Sequence, residues 1–161
     1  MKKNKGFSLV ELIIVIAIMA ILVGIMVPVM LHFIEKSNVS SDYQLADTIR
    51  SAVAYSIVDA KVKEDPNSQD GLAALEANEV DIADLASLCH IPAGESSELI
   101  DSLTEYLGMD PALVKNEIKS EHGSDVACMV STVNGVVKVR LQDTDSTGRK
   151  KPDTNPDIVV Q

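Results

Sequence analysis

The chain has 161 residues, a formal net charge of −10 at pH 7, no tryptophan and only 3% aromatic residues. A chain of this length accommodates roughly one domain. Its excess of acidic residues repels phosphate backbones, so bulk nucleic-acid binding is not expected. Because aromatic residues are scarce, the core of a soluble domain must be built mainly from aliphatic side chains.

An apolar run from Leu12 to Leu31 follows three lysines, Lys2, Lys3 and Lys5. As a helix rising about 1.5 Å per residue, its 20 residues span the hydrocarbon core of a lipid bilayer. No basic cluster of comparable density follows the run. This asymmetry predicts a single-pass membrane segment with the N-terminus in the cytoplasm and the rest of the chain outside.

Three interpretations of this segment compete. A cleaved secretory signal requires a short apolar stretch and a small-residue cleavage site, but the run is long and residues 28–33 contain no clear site. A plain signal anchor explains the length. It does not explain Glu11, because a carboxylate in a membrane helix is costly and usually has a partner. The third interpretation starts from the residues around Glu11.

The stretch Lys5-Gly6-Phe7-Ser8-Leu9-Val10-Glu11 resembles the cleavage motif of type IV prepilins and pseudopilins, and the resemblance covers roughly residues 2 to 36. It implies that a leader, residues 1–6, is cut at the Gly6–Phe7 bond on the cytoplasmic face. Phe7 would become the first mature residue and be N-methylated. Glu11 takes the place of the family's glutamate, and Pro28 that of its helix-bending proline.

The resemblance also implies an assembly role for Glu11. In filaments of this family the glutamate is thought to neutralise the cationic N-terminal amine of a neighbouring subunit. A desolvated pair of opposite charges is favourable with good geometry and costly when one partner is missing, so Glu11 would set the register of assembly. Gly24 and Pro28 are expected to kink or partly unwind the helix, because proline removes a backbone donor.

The helical pattern continues beyond the apolar run. Its charged residues, Asp42 among them, lie mostly off an apolar stripe, and Glu64-Asp65-Pro66-Asn67 ends the pattern. We therefore predict one long helix from about Ser8 to Lys63, with its first half in lipid and its second half packed on a soluble head. The stripe, with steps of three and four residues, consists of Ala46, Ile49, Val53, Ile57 and Ala60.

Residues 71–120 are predicted to form short helices. Ser97 starts the best of them and Gly108 ends it, while Asp110-Pro111 is typical of an N-cap followed by proline at the first helical position. The predicted spans are Gly71–Asn78, Asp81–His90, Ser97 to Gly108, and Pro111 to about Ser120.

The pattern then becomes strand-like. Val126–Val133 and Val136–Leu141 flank Asn134-Gly135, the strongest short-range hairpin signal. Apolar residues in the second strand alternate with Lys138 and Arg140, which predicts one covered face. Residues 157–160 are a candidate third strand.

The predicted fold class is α+β, with a long N-terminal helix, transmembrane in its first half, packed on a small head of short helices and a three-stranded antiparallel sheet. The predicted divisions are a prepilin leader at residues 1–6, a transmembrane part at 7–31, a soluble amphipathic half-helix at 32–63 and a globular head at 64–161.

Two further sites are hypotheses. Cys89 and Cys128 both follow the membrane segment, so they are candidates for a disulfide in an oxidising compartment, the alternative being two buried free thiols. The stretch from Asp143 to Gly148 resembles the start of a calcium loop. The alternative is a solvated acidic loop, because Thr147 is a weak ligand and basic residues follow. The candidate calcium ligands are Asp143, Asp145, Asp153 and Asp157.

No catalytic arrangement stands out, so no enzymatic activity and no further cofactor are expected. The sequence predicts a structural subunit of a type IV pilus-like filament, first in the membrane and then at the cell surface. By resemblance its partners are further copies of itself, a prepilin peptidase, a membrane assembly platform and an ATPase. The alternatives are a pseudopilin of a secretion or DNA-uptake system, and a membrane-tethered monomeric binding module in which Glu11 is dispensable.

Overall fold

The computed structural model describes residues 8–89, 91–92, 95–119, 126–143 and 158–161. The chain divides into two compact units, Met1–Ser37 and Asn38–Gln161. Helix α1, Leu9–Val62, belongs to both, and its bounds agree closely with the predicted long helix. From Leu9 to Ile34 its large apolar side chains are exposed, and this part is long and apolar enough to cross a membrane.

The remaining helices of the second unit are short. The prediction for residues 81–90 was only partly correct: a helix lies within this span, but it is a single turn at Leu85–Leu88, and Asp81 belongs to a strand. The prediction for residues 111–120 was correct in its start but not in its type or end, since a 3-10 helix ends at Glu117. The elements are a 3-10 helix at Pro66–Ser68, α2 at Gln69–Ala77, α3 at Leu85–Leu88, α4 at Glu98–Leu107 and a 3-10 helix at Pro111–Glu117.

Two of the predicted helix signals have the expected geometry. Gly108 ends α4 in the left-handed conformation, with φ of 68°, and its N–H donates to the Thr104 and Glu105 carbonyls. At the second 3-10 helix, the Asp110 side chain accepts a hydrogen bond of 2.9 Å from the Ala112 N–H, ahead of Pro111.

Among the residues that the structure describes, the sheet has four antiparallel strands in the order β1-β2-β3-β4, which corrects the predicted three. The added strand is a two-residue edge strand whose Val80 and Asp81 pair with Val130 and Met129. Asn134 and Gly135 form the predicted hairpin turn between β2 and β3, and their positive φ values of 53° and 80° are typical of a type I′ turn. The strands are β1 at Val80–Asp81, β2 at Val126–Val133, β3 at Val136–Asp143 and β4 at Ile158–Val160.

One face of the sheet is mostly buried, whereas the other is buried only in part, through Ala127, Ser131 and Gln142. Val137, Val139 and Leu141 of β3 are buried, whereas Lys138 and Arg140 between them are only partly buried, as the alternation predicted. The buried strand residues share one core with α1 and α4. The α1 side chains in this core are Ala46, Ile49, Ala52, Val53 and Ala60, while Ile57 lies at its margin.

Asp42 lies on the buried side of α1, contrary to its expected position off the apolar stripe. Its side chain is fully buried, and its Oδ1 accepts a hydrogen bond of 2.9 Å from the Lys119 backbone N–H. Burying a carboxylate is tolerable only when donors replace water, so this contact explains why the position admits an acid. The donor comes from a segment distant in sequence, which the stripe pattern does not reveal.

The N-terminus of α4 is capped from another part of the chain. Ser97 occupies the N-cap position, where a serine side chain usually accepts a backbone N–H, but the Ser97 side chain makes no capping hydrogen bond. Instead the Asp65 carboxylate accepts the Glu98 N–H at 2.8 Å, and the Ser68 hydroxyl accepts the Leu99 N–H at 3.0 Å. The segment that ends α1 thereby fixes the start of α4.

Asp65 is the centre of this arrangement. Its carboxylate also accepts hydrogen bonds from the Ser68 hydroxyl and the Asn67 N–H. Burial alone would raise the pKa of Asp65, but the hydrogen bonds from Ser68, Glu98 and Asn67 to the charged form outweigh it and lower the pKa. The ionised form of Asp65 therefore accepts the hydrogen bonds that join the segment after α1 to the start of α4.

We expect Asp65→Ala to destabilise the second unit by about 1–2 kcal/mol, the usual cost of a lost cap. Because the folded pKa is lowered, the stabilisation is complete above the ordinary pKa of 3.8 and is lost as pH falls through the folded value. Thermal unfolding of the full chain in detergent, followed by the near-UV signal of its three tyrosines, all in the second unit, measures both effects.

Asp84→Ala is the matched control, since Asp84 occupies the N-cap position of α3 but makes no side-chain capping bond. Equal losses in the two variants, or a difference between wild type and Asp65→Ala that does not shrink as the pH is lowered below 3.8, would contradict this role for Asp65.

Candidate functional site

The first turn of α1 is closed by a reciprocal pair of side chains. The Ser8 hydroxyl accepts the Val10 N–H at 3.4 Å, and the Glu11 carboxylate reaches back to accept the Ser8 N–H at 2.9 Å. The Ser8 carbonyl accepts the Leu12 N–H at 3.3 Å. Ser8 and Glu11 thus form a capping box, in which two otherwise unpaired helix donors are satisfied.

The capping box gives Glu11 a role within the chain. The spacing Ser-x-x-Glu is a sequence signal for a helix start. The sequence predictions miss it, since they give Glu11 a partner only on a neighbouring subunit. At this position the carboxylate also faces the positive end of the helix dipole. Both interactions lower the cost of placing an acid beside a long apolar segment.

Gly6 and Phe7, the residues of the predicted scissile bond, lie outside the described residues. Cleavage between them and N-methylation of Phe7 therefore stay predictions. The described part begins at Ser8, one residue beyond Phe7, and places Glu11 about one helical turn further on. Any cationic amine created at Phe7 would arise within a few residues of the Glu11 carboxylate along the chain.

Gly24 and Pro28 lie inside α1, which is assigned as helix on both sides of them. Pro28 has no N–H to offer the carbonyl four residues earlier, and that carbonyl belongs to Gly24. A Cβ built on Gly24 meets no atom within 4 Å, so nothing in the described chain requires glycine there. The predicted kink or unwinding remains a prediction about the assembled state.

The apolar side chains of the first unit have no partners within the described part of the chain. They are exposed around the whole helix from Leu9 to Ile34, not along one stripe. A helix that is apolar on all sides is stable only when lipid or other apolar helices surround it. The first unit is therefore built to be covered by something other than its own chain.

Cys89 and Cys128 are both buried free thiols in the structure, which is the alternative that the sequence left open. Burial raises the pKa of each thiol above its usual value. Cys89 packs so tightly that a Cβ added to Gly71 would lie 2.5 Å from its Sγ. The thiol fills the space that the absent side chain of Gly71 leaves.

The calcium hypothesis falls mostly outside the described residues. Asp145, Asp153 and Asp157 are among the residues not described, and Asp143 is described only as the last residue of β3. The hypothesis that these carboxylates bind calcium stays a prediction.

Comparison with known proteins finds a recognised motif in the N-terminal segment. The family model for the prokaryotic N-terminal methylation motif matches residues 1–27. The fimbrial protein of Moraxella nonliquefaciens is 41% identical over 54 residues, which cover 34% of this chain and 35% of that protein. No solved structure matches the chain.

Two further relatives match over a longer stretch. The type IV major fimbrial protein FimA of Dichelobacter nodosus is 34% identical over 74 residues, 45% of this chain and 46% of that protein. The fimbrial protein EcpC of Eikenella corrodens is 39% identical over 71 residues, 44% of this chain and 46% of that protein. The chain thus spans less than half the length of these curated relatives.

We expect neither thiol of the folded full chain to react with iodoacetamide near neutral pH, because both are buried and little thiolate forms. After unfolding without reductant, intact mass spectrometry should show two labels per chain. Labels that enter only after a reductant is added would instead establish the Cys89–Cys128 disulfide.

Proposed function

We propose that this pilin-like chain is the structural subunit of a type IV pilus-like filament, not an enzyme. The observation that carries the proposal is the N-terminal methylation motif at residues 1–27, which heads a helix whose apolar side chains are exposed on all sides. The relatives described above are fimbrial proteins, which supports a pilus subunit over a pseudopilin.

The proposed cycle begins in the membrane. The apolar part of α1 spans the bilayer, with the lysines before it in the cytoplasm and the second unit outside. A prepilin peptidase cuts the Gly6–Phe7 bond and Phe7 is N-methylated. An assembly ATPase and a membrane platform then move the chain from the bilayer into a surface filament.

Apolar burial alone does not explain why the helix leaves lipid for the filament. Lipid tails and neighbouring helices are similarly apolar, so the exchange of one for the other supplies little free energy. The free energy of a charge pair between Glu11 and the new N-terminal amine of a neighbouring chain does differ between the lipid bilayer and the filament. It forms only when two subunits have the right axial offset, so it favours one register over all others.

The capping box and the intermolecular pair can exist together. Oε2 of Glu11 accepts the Ser8 N–H. An ionised carboxylate offers about four lone-pair sites, so it can accept a further donor while it caps its own helix. Ser8 would fix the orientation of the carboxylate, and the neighbour's amine would neutralise its charge.

The two roles of Glu11 can be separated by substitution. Glutamine retains an acceptor for the capping box but has no charge, whereas alanine has neither. We expect both Glu11→Gln and Glu11→Ala to insert in the membrane and to be cleaved, yet to lose filament by about tenfold or more. A buried charge without its partner costs about 3–5 kcal/mol at each contact.

The measurement is the fraction of cleaved chain in sheared, sedimentable filaments, with Ser8→Ala as control because it removes the hydroxyl of the box but keeps the charge of Glu11. Wild-type filament yield from Glu11→Gln would show that the carboxylate serves the helix cap alone. Wild-type yield from Glu11→Ala would leave the membrane-tethered monomer as the better account.

A further inference from the structure

Two tyrosines of the second unit lie against each other, one on α1 and one on α4. The ring centroids of Tyr55 and Tyr106 are 5.5 Å apart, and the ring planes are inclined by 53°. This separation is within the range of about 4.5–7 Å at which aromatic rings interact. The two residues remain 60% and 46% exposed, so a reagent in solution can reach both rings.

One ring of the pair has a proton acceptor beside it. The Tyr106 hydroxyl donates a hydrogen bond of 2.7 Å to the Asp59 carboxylate, which lies one turn along α1 from Tyr55. The hydrogen bond to Asp59, burial, and the negative charges of Asp59, Glu105 and Glu98 raise the pKa of Tyr106. The ring is therefore a neutral phenol at neutral pH, with its proton already directed at a base.

This hydrogen bond makes Tyr106 the easier of the two phenols to oxidise. Loss of an electron makes a phenol strongly acidic, and an acceptor already bonded to the hydroxyl can take the proton as the electron leaves. The charged radical, which is the intermediate of highest free energy, is thereby avoided. One-electron oxidation of the pair should start at Tyr106, with Asp59 as the proton acceptor.

The second unit offers few other side chains for such an oxidation. The chain has no tryptophan and three tyrosines, and both of its thiols are buried. The third tyrosine, Tyr43, is 47% exposed, but it has no ring contact within the part of the chain that the structure describes. Methionine side chains take up an oxygen atom instead, which gives a different product.

We propose that Tyr55 and Tyr106 form a modification site at which hydrogen peroxide, used by a haem peroxidase as the one-electron oxidant, joins the two rings as dityrosine. Each phenol gives up one electron and one proton and becomes a phenoxyl radical. The Tyr106 proton passes to Asp59 and the Tyr55 proton to water. The two electrons and two protons reduce one hydrogen peroxide to two water molecules.

The two radicals then couple. A carbon–carbon bond forms between one ring carbon beside each hydroxyl, and the hydrogens of these two carbons move to the oxygens, which restores both phenols. The rings already lie in contact, and both side chains are exposed enough to close the remaining distance. Coupling within one chain should therefore be faster than coupling between chains, because the partner is held in place.

The new bond would tie α4 covalently to α1, the helix that also forms the first unit. A crosslink that closes a long loop of chain stabilises a fold mainly by constraining the unfolded chain, as a disulfide does. The described thiols form no disulfide that could serve this purpose. The inference concerns the second unit alone, so it does not depend on the proposed filament.

Peroxidase treatment of the full chain in detergent tests the site. With hydrogen peroxide, the wild type should give dityrosine fluorescence and a monomer lighter by two hydrogen atoms, and peptide mass spectrometry should find Tyr55 joined to Tyr106. Tyr55→Phe and Tyr106→Phe should each abolish this product, because phenylalanine keeps the ring but forms no phenoxyl radical. Tyr43→Phe is the matched control and should leave the product unchanged.

Three results would overturn the proposal. They are a wild-type chain without dityrosine under conditions that couple free tyrosine, a product that joins Tyr43 to another ring, and covalent dimers as the only crosslinked species. Since phenylalanine differs from tyrosine only by the hydroxyl, circular dichroism before treatment should show that each variant has the wild-type fold.

Asp59→Asn tests the proton acceptor separately from the ring contact. Asparagine still offers an oxygen to the Tyr106 hydroxyl but is a far weaker base, so the initial rate of dityrosine formation should fall about tenfold or more. Asp101→Asn removes the same charge from an exposed position of α4 and should leave the rate unchanged. A wild-type rate in Asp59→Asn, or equal losses in the two variants, would contradict the role of Asp59.

Discussion

A carboxylate beside an apolar membrane segment needs hydrogen-bond donors or a cation to replace water, and the first unit depends on which groups provide them. Within the chain, the Glu11 carboxylate accepts a hydrogen bond from the Ser8 N–H and is stabilised by the positive end of the α1 dipole. In surroundings without water the rest must come from a donor or cation of another molecule. The amine that the proposed cleavage would create at Phe7 is such a cation. Processing and assembly then become two steps that meet one electrostatic requirement.

The surroundings of helix α1 differ along its length and, in its second part, from one face to the other, and its side chains change accordingly. Its first part is apolar all round, as lipid or neighbouring helices require. In the second unit its inner face joins the core through residues such as Ile49 and Val53, while its outer face carries Tyr55 and Val62. Carboxylates stabilise this unit where backbone N–H groups meet them, and Asp65, which links the segment after α1 to the start of α4, is the clearest example.

The sequence predicted those features whose signals are local. Asn134-Gly135 specified the hairpin, because that pair favours left-handed conformations at both positions, and Gly108 specified the end of α4. What it did not predict depends on distant partners. Strand β1 exists through its pairing with β2, and the burial of Asp42 depends on a backbone N–H contributed by Lys119. The capping box at Glu11 could have been predicted from the spacing Ser-x-x-Glu. The structure shows its hydrogen bond, in which the Glu11 carboxylate accepts the Ser8 N–H.

The central claim is that the chain is cut after Gly6 and assembled as the mature form. The most direct test is mass spectrometry of the N-terminal peptide from filaments sheared off the cell surface. The account predicts a peptide that begins at Phe7 and carries one methyl group on its amine, in material that sediments as filaments. A chain that keeps residues 1–6 and stays in the membrane, in cells with an active prepilin peptidase, would contradict it.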